Sequence, residues 1–154
     1  MSRKVEGMWQ TLPGAGVLAV RNGRILMVLH FRGGKYRWEL PSGYVNKGES
    51  MEEAAIRETL EETAVSVTIG TLLCTVVMDV PRDDFWGINA YYCASSVGDE
   101  EPFNDGRDGE PILQAAYVDL TQVKFRDLHP VDRKILRHWM KYPSKHPFYF
   151  RMVF

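Results

Sequence analysis

Three glutamates, Glu58, Glu61 and Glu62, stand at positions i, i+3 and i+4 of a stretch with helical character. On a helix this spacing gathers the carboxylates on one face, with Cβ atoms roughly 5–6 Å apart. Arg57 is the cation inside the cluster. Like charges this close repel, and at a helix C-terminus the macrodipole disfavours them further. A helix that carries both costs calls for a cation to offset them. Hard carboxylate oxygens suit Mg²⁺ or Mn²⁺ rather than zinc. The competing reading is a solvated helix laced with ion pairs. Its pairs are Glu53–Arg57 and Arg57–Glu61, each four apart; it accounts for Glu52 and Glu53, but not for the crowded end with Glu58, Glu61 and Glu62.

The elements that must position these residues follow from local signals. Ser50 caps a helix over residues 50–63, and Glu53 three residues on completes a capping box. Met51, Ala54, Ala55 and Leu60 supply its apolar side. Upstream, two strand-like runs, residues 14–20 and 24–31, flank Asn22-Gly23, a strong hairpin signal. A polar loop with Gly33-Gly34 is expected over 31–36, then a short apolar run at 38–40 broken by Pro41-Ser42-Gly43. Downstream, strands are expected over 68–80 and 85–96, joined by a polar turn at 81–84. An acidic loop over 97–109 leads to a strand at 110–120. Pro130 opens a second helix whose apolar stripe is Val131, Ile135, Leu136 and Trp139, with His129 as its cap. The aromatic tail, with Phe148, Tyr149, Phe150 and Phe154, is expected to pack on its own domain, a homodimer contact or the substrate site being the alternatives. Strands that precede, separate and follow two helices give an α/β chain with a mixed sheet.

Residues 43–65, GYVNKGESMEEAAIRETLEETAV, resemble the box of the Nudix hydrolases of MutT type. The family's signature is Gly, five residues, Glu, seven residues, Arg-Glu, an apolar residue, any residue, Glu-Glu, any residue, Gly and an apolar residue. Gly43, Glu49, Arg57, Glu58, Glu61 and Glu62 match, six of its seven fixed identities, and Val65 closes it. Chance coincidence at residue frequencies of a few per cent is on the order of 10⁻⁷ per window. Thr59 stands in place of an aliphatic residue and can still turn a methyl to the core. Ala64 stands in place of glycine, at a cost of about 1 kcal/mol if the backbone there is left-handed. Resemblance extends from about Gly14 to Met140, through Trp38 to Gly43 and the run ending Tyr117-Val118-Asp119-Leu120.

The resemblance implies the Nudix fold, a mixed β-sheet sandwiched between α-helices, formed by residues 1–154 as one domain. It implies hydrolysis of a phosphoanhydride bond in a nucleoside diphosphate linked to another group, with Mg²⁺ or Mn²⁺ as cofactor. Glu58 and Glu62 would be metal ligands and Glu61 a ligand directly or through water, with Glu58 also a candidate general base. Glu49 would orient Arg57, and Arg57 a metal-binding glutamate. A backbone carbonyl near Ser42 or Gly43 would complete the shell. Glu110 is the candidate for a carboxylate from outside the box, ahead of Glu100, Glu101 and Asp108. Arg32 and Lys35 are candidate phosphate contacts, and Tyr36, Phe85 and Trp86 candidate stacking faces for a base. The alternative is a catalytically silent Nudix-like module that binds a nucleotide to regulate.

Composition fits these expectations. The 154 residues are enough for one domain with its own core. A net charge of −1 gives no broad field toward DNA or an anionic membrane and speaks against long RNA. The partner that the resemblance implies is a small nucleotide derivative. Cys74 and Cys93 lie in apolar stretches and read as reduced core thiols. No signal peptide and no spanning segment is read, and the chain is expected in the cytoplasm.

Overall fold

The computed structural model describes residues 11–83, 85–106, 109 and 111–154. Among these residues, nine strands and two α-helices follow one another. β1 (Leu12–Leu18) runs into the short β2 (Val20–Arg21), which turns at Asn22-Gly23 into β3 (Arg24–Arg32). β4 is Lys35–Glu39, β5 Ser42–Tyr44 and α1 Met51–Thr63. The long β6 (Val67–Val80) and β7 (Phe85–Val97) form the central antiparallel pair. β8 (Ile112–Val118), α2 (Pro130–Lys141) and β9 (Phe148–Val153) complete the order.

The strands form two sheets. The larger has the order β5-β1-β7-β6-β9 and is mixed, since β1 pairs parallel with β7 and β9 parallel with β6. In the smaller sheet β3 is central, antiparallel to β2, β4 and β8. Side-chain alternation assigns the two faces of the larger sheet to different helices. Ala15, Val17, Ala90 and Tyr92 pack with Ala54 and Ala55 of α1. Leu73, Val76 and Tyr91 pack with Val131, Ile135 and Leu136 of α2. The expected layering, helices on either side of a mixed sheet, is what forms.

Local expectations fare unevenly. The capping box is complete: Glu53 N–H donates to Ser50 Oγ at 3.1 Å, and Ser50 N–H to Glu53 Oε2 at 2.8 Å. The loop expected over 31–36 is instead a tight hairpin, with β3 running to Arg32 and β4 starting at Lys35. Gly33 and Gly34 have φ of +55° and +75° and turn the chain in two residues, as hairpins with the usual right-handed twist require. Leu60 does not face the core; it is exposed, and the helix buries Ala54, Ala55, Thr59, Glu62 and Thr63. Thr59 takes the core position and satisfies its hydroxyl by donating to Ala55 O at 2.7 Å. The aromatic tail packs on its own domain through Phe148 and Phe150, while Tyr149 and Phe154 are exposed. β9 adds to the sheet edge with Phe150 buried and Phe148 packed against the same core as α2. Cys74 and Cys93 are both free. No described helix is long and apolar enough to cross a membrane.

Candidate active site

α1 holds its glutamates over the strand that precedes it. β5 pairs antiparallel with β1, Ala15 opposite Gly43, and this fixes the backbone of residues 42–44 beside the helix. The Glu58 carboxylate lies so close to the Cα of Gly43 that any side chain there would overlap it. Glycine is thus demanded at position 43 by close approach, since its φ is ordinary. One turn on, Glu62 is only 8% exposed, and Ser42 N–H donates to its Oε2 at 3.0 Å.

Arg57 ties the cluster together. Its Nε donates to Glu49 Oε1 at 2.6 Å and its Nη2 to Glu49 Oε2 at 3.0 Å, a bidentate pair. Nη1 reaches Glu58 Oε1 at 2.6 Å and Glu61 Oε2 at 3.2 Å, and Nη2 also donates to Tyr44 O at 2.9 Å. These bonds hold the Glu49 carboxyl below the usual carboxylate range, the Arg57 hydrogen bond being the main cause and the Asn46 N–H the second. The guanidinium is pushed up by Glu49 first, so it stays charged. The last turn of α1 has no basic residue, and Arg57 is the counterweight to its three glutamates.

The helix C-terminus is closed from two directions. Ala64 adopts the left-handed conformation, φ +60°, and donates its N–H to Leu60 O at 2.8 Å. This is the position where the signature has glycine. The acidic loop docks on the same end: Phe103 N–H donates to Thr63 O at 2.9 Å and Asn104 Nδ2 to Glu62 O, also at 2.9 Å. Backbone carbonyls that a helix end leaves unpaired are satisfied in this way.

A cleft of about 240 Å³ opens between β5 and the first turn of α2. Gly43 and Tyr44 border it on the α1 side, His129, Val131 and Asp132 on the α2 side, with Asn89 and Tyr91 of β7 between. Tyr91 is buried and its hydroxyl bonds with Asn89 and Ser42, so the floor is rigid and polar. Of the residues expected at a substrate site, Arg32 and Phe85 line this cleft. Lys35, Tyr36 and Trp86 are not among its lining residues. The tight turn at 33–34 carries Lys35 and Tyr36 out to solvent, where the Tyr36 ring packs tilted against that of Phe31, with centroids 4.7 Å apart. Trp86 pairs in register with Asp79 on the neighbouring strand. Glu110 and Asp108 lie outside the described residues. Glu100 accepts from Ser66 Oγ at 2.5 Å, and Glu101 lies 4.0 Å from Arg21; neither lines the cleft.

The α2 end of the cleft holds a second polar group. Glu39 and Asp132 are both buried, and both line it. Asp132 Oδ1 accepts from Leu40 N–H at 3.0 Å, and its Oδ2 lies 3.4 Å from His129 Nδ1, which caps α2 by accepting from Val131 N–H at 3.3 Å. Burial, and next the charge of Asp132, push the Glu39 carboxyl above its ordinary value; Arg32, 3.6 Å away, offsets part of this. His30 is buried, and its pKa is lowered to about 4 by that burial and then by Arg32. It is neutral near pH 7, and its Nδ1 accepts from Arg32 Nε at 2.9 Å. Glu39, Asp132 and Asn89 were not singled out from the sequence. A charged residue between the apolar Trp38 and Leu40 is the signal that points to Glu39.

A family profile described as NUDIX domain matches residues 10–139. The chain belongs to the Nudix family. The 8-oxo-(d)GTP phosphatase of Mycolicibacterium smegmatis is 34% identical over 109 residues, 69% of this chain and 31% of that protein. An RNA pyrophosphohydrolase of Sphingopyxis alaskensis is 43% identical over 54 residues, 34% of each chain. The Nudix chain described here spans about a third of the length of these curated relatives. The crystal structure of a MutT NUDIX hydrolase from Burkholderia pseudomallei is similar with a TM-score of 0.71 and 27% identity, covering 83% of this chain and 97% of that one. A MutT protein from Bacillus halodurans shares the fold, with a TM-score of 0.74 over 93% of this chain and 90% of that chain, at 18% identity. The Nudix box is thus the stretch in which Arg57 gathers its glutamates.

Proposed function

We propose that this chain hydrolyses a phosphoanhydride bond in a nucleoside diphosphate linked to another group, in the cytoplasm and with Mg²⁺ or Mn²⁺. The observation that carries this reading is the convergence of Glu49, Glu58 and Glu61 on Arg57, with Glu62 buried one turn along and the cleft immediately beyond Gly43.

The donor set fits a hard divalent cation. Among the described residues no three acidic, histidine or cysteine side chains form a ready cage, and Arg57 occupies oxygens of Glu58 and Glu61. The carboxylates are nonetheless all oxygen donors, and Glu58 is pressed against a backbone that leaves no room for a side chain. Glu58, Glu61 and Glu62 would hold the ion. When bound, it neutralises phosphate oxygens and lowers the pKa of a water.

The chain's own residues do the rest. Arg57 orients Glu58 and Glu61 through its Nη1, and Glu49 orients Arg57. The Ser42 N–H steers the Glu62 carboxylate. Arg32 brings a positive charge to the cleft for phosphate, and Phe85 an aromatic edge for a base. Small nucleotides are the substrates named for the Mycolicibacterium relative, and nucleoside triphosphates head the panel for that reason.

The test measures phosphate or pyrophosphate release from a panel of nucleoside diphosphate derivatives with Mg²⁺ or Mn²⁺, wild type against Glu62→Gln. Turnover of one compound that is lost in the variant supports the reading and names the substrate. Nucleotide binding without turnover of any compound would replace it with a nucleotide-sensing module.

A further inference from the structure

The near-neutral net charge conceals a segregation. Between Lys124 and Arg151 there are eight Lys or Arg and two Asp, whereas the rest of the chain has eleven against eighteen acidic residues. Much of this excess lies on the outer face of α2 and the turn after it. Lys134, Arg137 and Lys141 stand at i, i+3 and i+7, a single stripe, and all three are exposed, as is Lys145. None of the four forms an ion pair with a described carboxylate.

Aromatic rings lie under these cations. Lys134 Nζ sits 4.8 Å from the Phe150 ring centroid, and the Arg137 guanidinium carbon 5.1 Å from that of Phe125. Lys141 and Lys145 approach the Tyr142 ring together, at 5.2 and 4.9 Å. The rings restrain long side chains that would otherwise wander, and so lower the entropy lost when the cations engage a ligand. Along the helix axis Lys134 and Lys141 are about 10 Å apart. That spread suits a chain of separate charges better than one compact phosphate group. The stripe begins three residues after Val131 and two after Asp132, which line the cleft.

We propose that the outer face of α2 binds the backbone of a single-stranded RNA whose phosphoanhydride-bearing end enters the cleft. Entry of that end rests on the hydrolase reading; contact with the strand does not. A flexible strand can follow the stripe without meeting the acidic remainder of the surface, which a planar anionic membrane cannot avoid. α2 also offers a bilayer little apolar surface: Trp139 is packed against the core, and Met140 is the large apolar side chain that the helix exposes.

The experiment is fluorescence anisotropy with a labelled single-stranded RNA of about twelve nucleotides bearing a 5′-hydroxyl, so that binding is read without hydrolysis. Wild type is compared with a triple variant, Arg137→Gln, Lys141→Gln and Lys145→Gln, which leaves Lys134 on its core ring. At about 50 mM salt the variant should bind about tenfold or more weakly, and the slope of log K against log salt should shrink by roughly 2, at about 0.7 per lost phosphate contact. Its melting temperature and its turnover of small nucleotides should be unchanged. Wild type that does not bind, or a variant with the same affinity and slope, would overturn the proposal. So would loss of binding to phosphatidylserine vesicles in the variant with no RNA binding by wild type, which would give the face to a membrane. If RNA binding falls in the variant while wild type turns over neither a small nucleotide nor the same RNA bearing a 5′-triphosphate, the surface stands and the hydrolase reading fails.

Discussion

Glu49, at the α1 end of the site, is held below the usual carboxylate range by Arg57, whereas Glu39, at the α2 end, is pushed above it by burial and by Asp132. Both are glutamates beside an arginine. The difference lies in geometry. Arg57 grips Glu49 with two hydrogen bonds of 2.6 and 3.0 Å, while Arg32 stands 3.6 Å from Glu39 and spends its Nε on His30. Charge is kept where a cation bonds it directly and discouraged where burial removes water faster than partners replace it. One end is therefore arranged to hold negative charge ready for a cation. The other favours neutral groups, His30 among them.

The sharpest way to break this comparison is to neutralise carboxylates at both ends. Glu58→Gln and Glu62→Gln should each lower kcat about 10²–10³-fold, the range seen when one preorganised electrostatic group is removed. Glu39→Gln should lower it less than about tenfold. Equal losses in steady-state assays would erase the distinction. Next in size is Gly43→Ala. Its methyl displaces the Glu58 carboxylate rather than backbone, so turnover should fall by roughly tenfold or more while the melting temperature moves little.

Glu39→Gln sharpens the comparison through pH. A raised carboxyl pKa in the folded state means stability that is full below the unfolded value and is lost as pH rises through the folded one. The substitution should thus raise the melting temperature at pH 7–8 and leave it unchanged near pH 4, as thermal melts across pH would show. The smallest effect belongs to Ala64→Gly. Relief of the left-handed alanine, less the added freedom of the unfolded chain, should stabilise by about 0.5–1 kcal/mol, or roughly 1–4 °C in a scanning melt.

The two ends also differ in how far they could be read in advance. The α1 end is local: Glu49, Arg57, Glu58, Glu61 and Glu62 fall within fourteen residues, and helical period alone brings the last four together. The capping box is legible for the same reason, whereas for residue 64 the sequence offers only the cost that a left-handed alanine would carry. The α2 end is assembled from distant segments; Leu40 and Asp132 are joined across 92 positions, and no periodicity encodes that. Leu60 faces out, and Thr59 keeps the core position expected for its methyl, because the helix is narrow on its buried side, where alanines lie against β1 and a threonine can return its hydroxyl to Ala55 O. The hairpin at 33–34 was read as a loop because Gly-Gly signals a turn without stating how short it is. Net charge likewise averages away the basic stripe of α2.

The pairing of β5 with β1, and of β1 with β7, has a kinetic corollary. α1 can form from contacts within its own thirteen residues, but the strand against which Glu58 rests is registered through β1 onto residues 87–93, some seventy-five positions away. Closures of that span are slow compared with helix formation. During refolding the glutamate helix should therefore appear before its partner backbone does, and recovery of turnover should lag the far-ultraviolet helical signal.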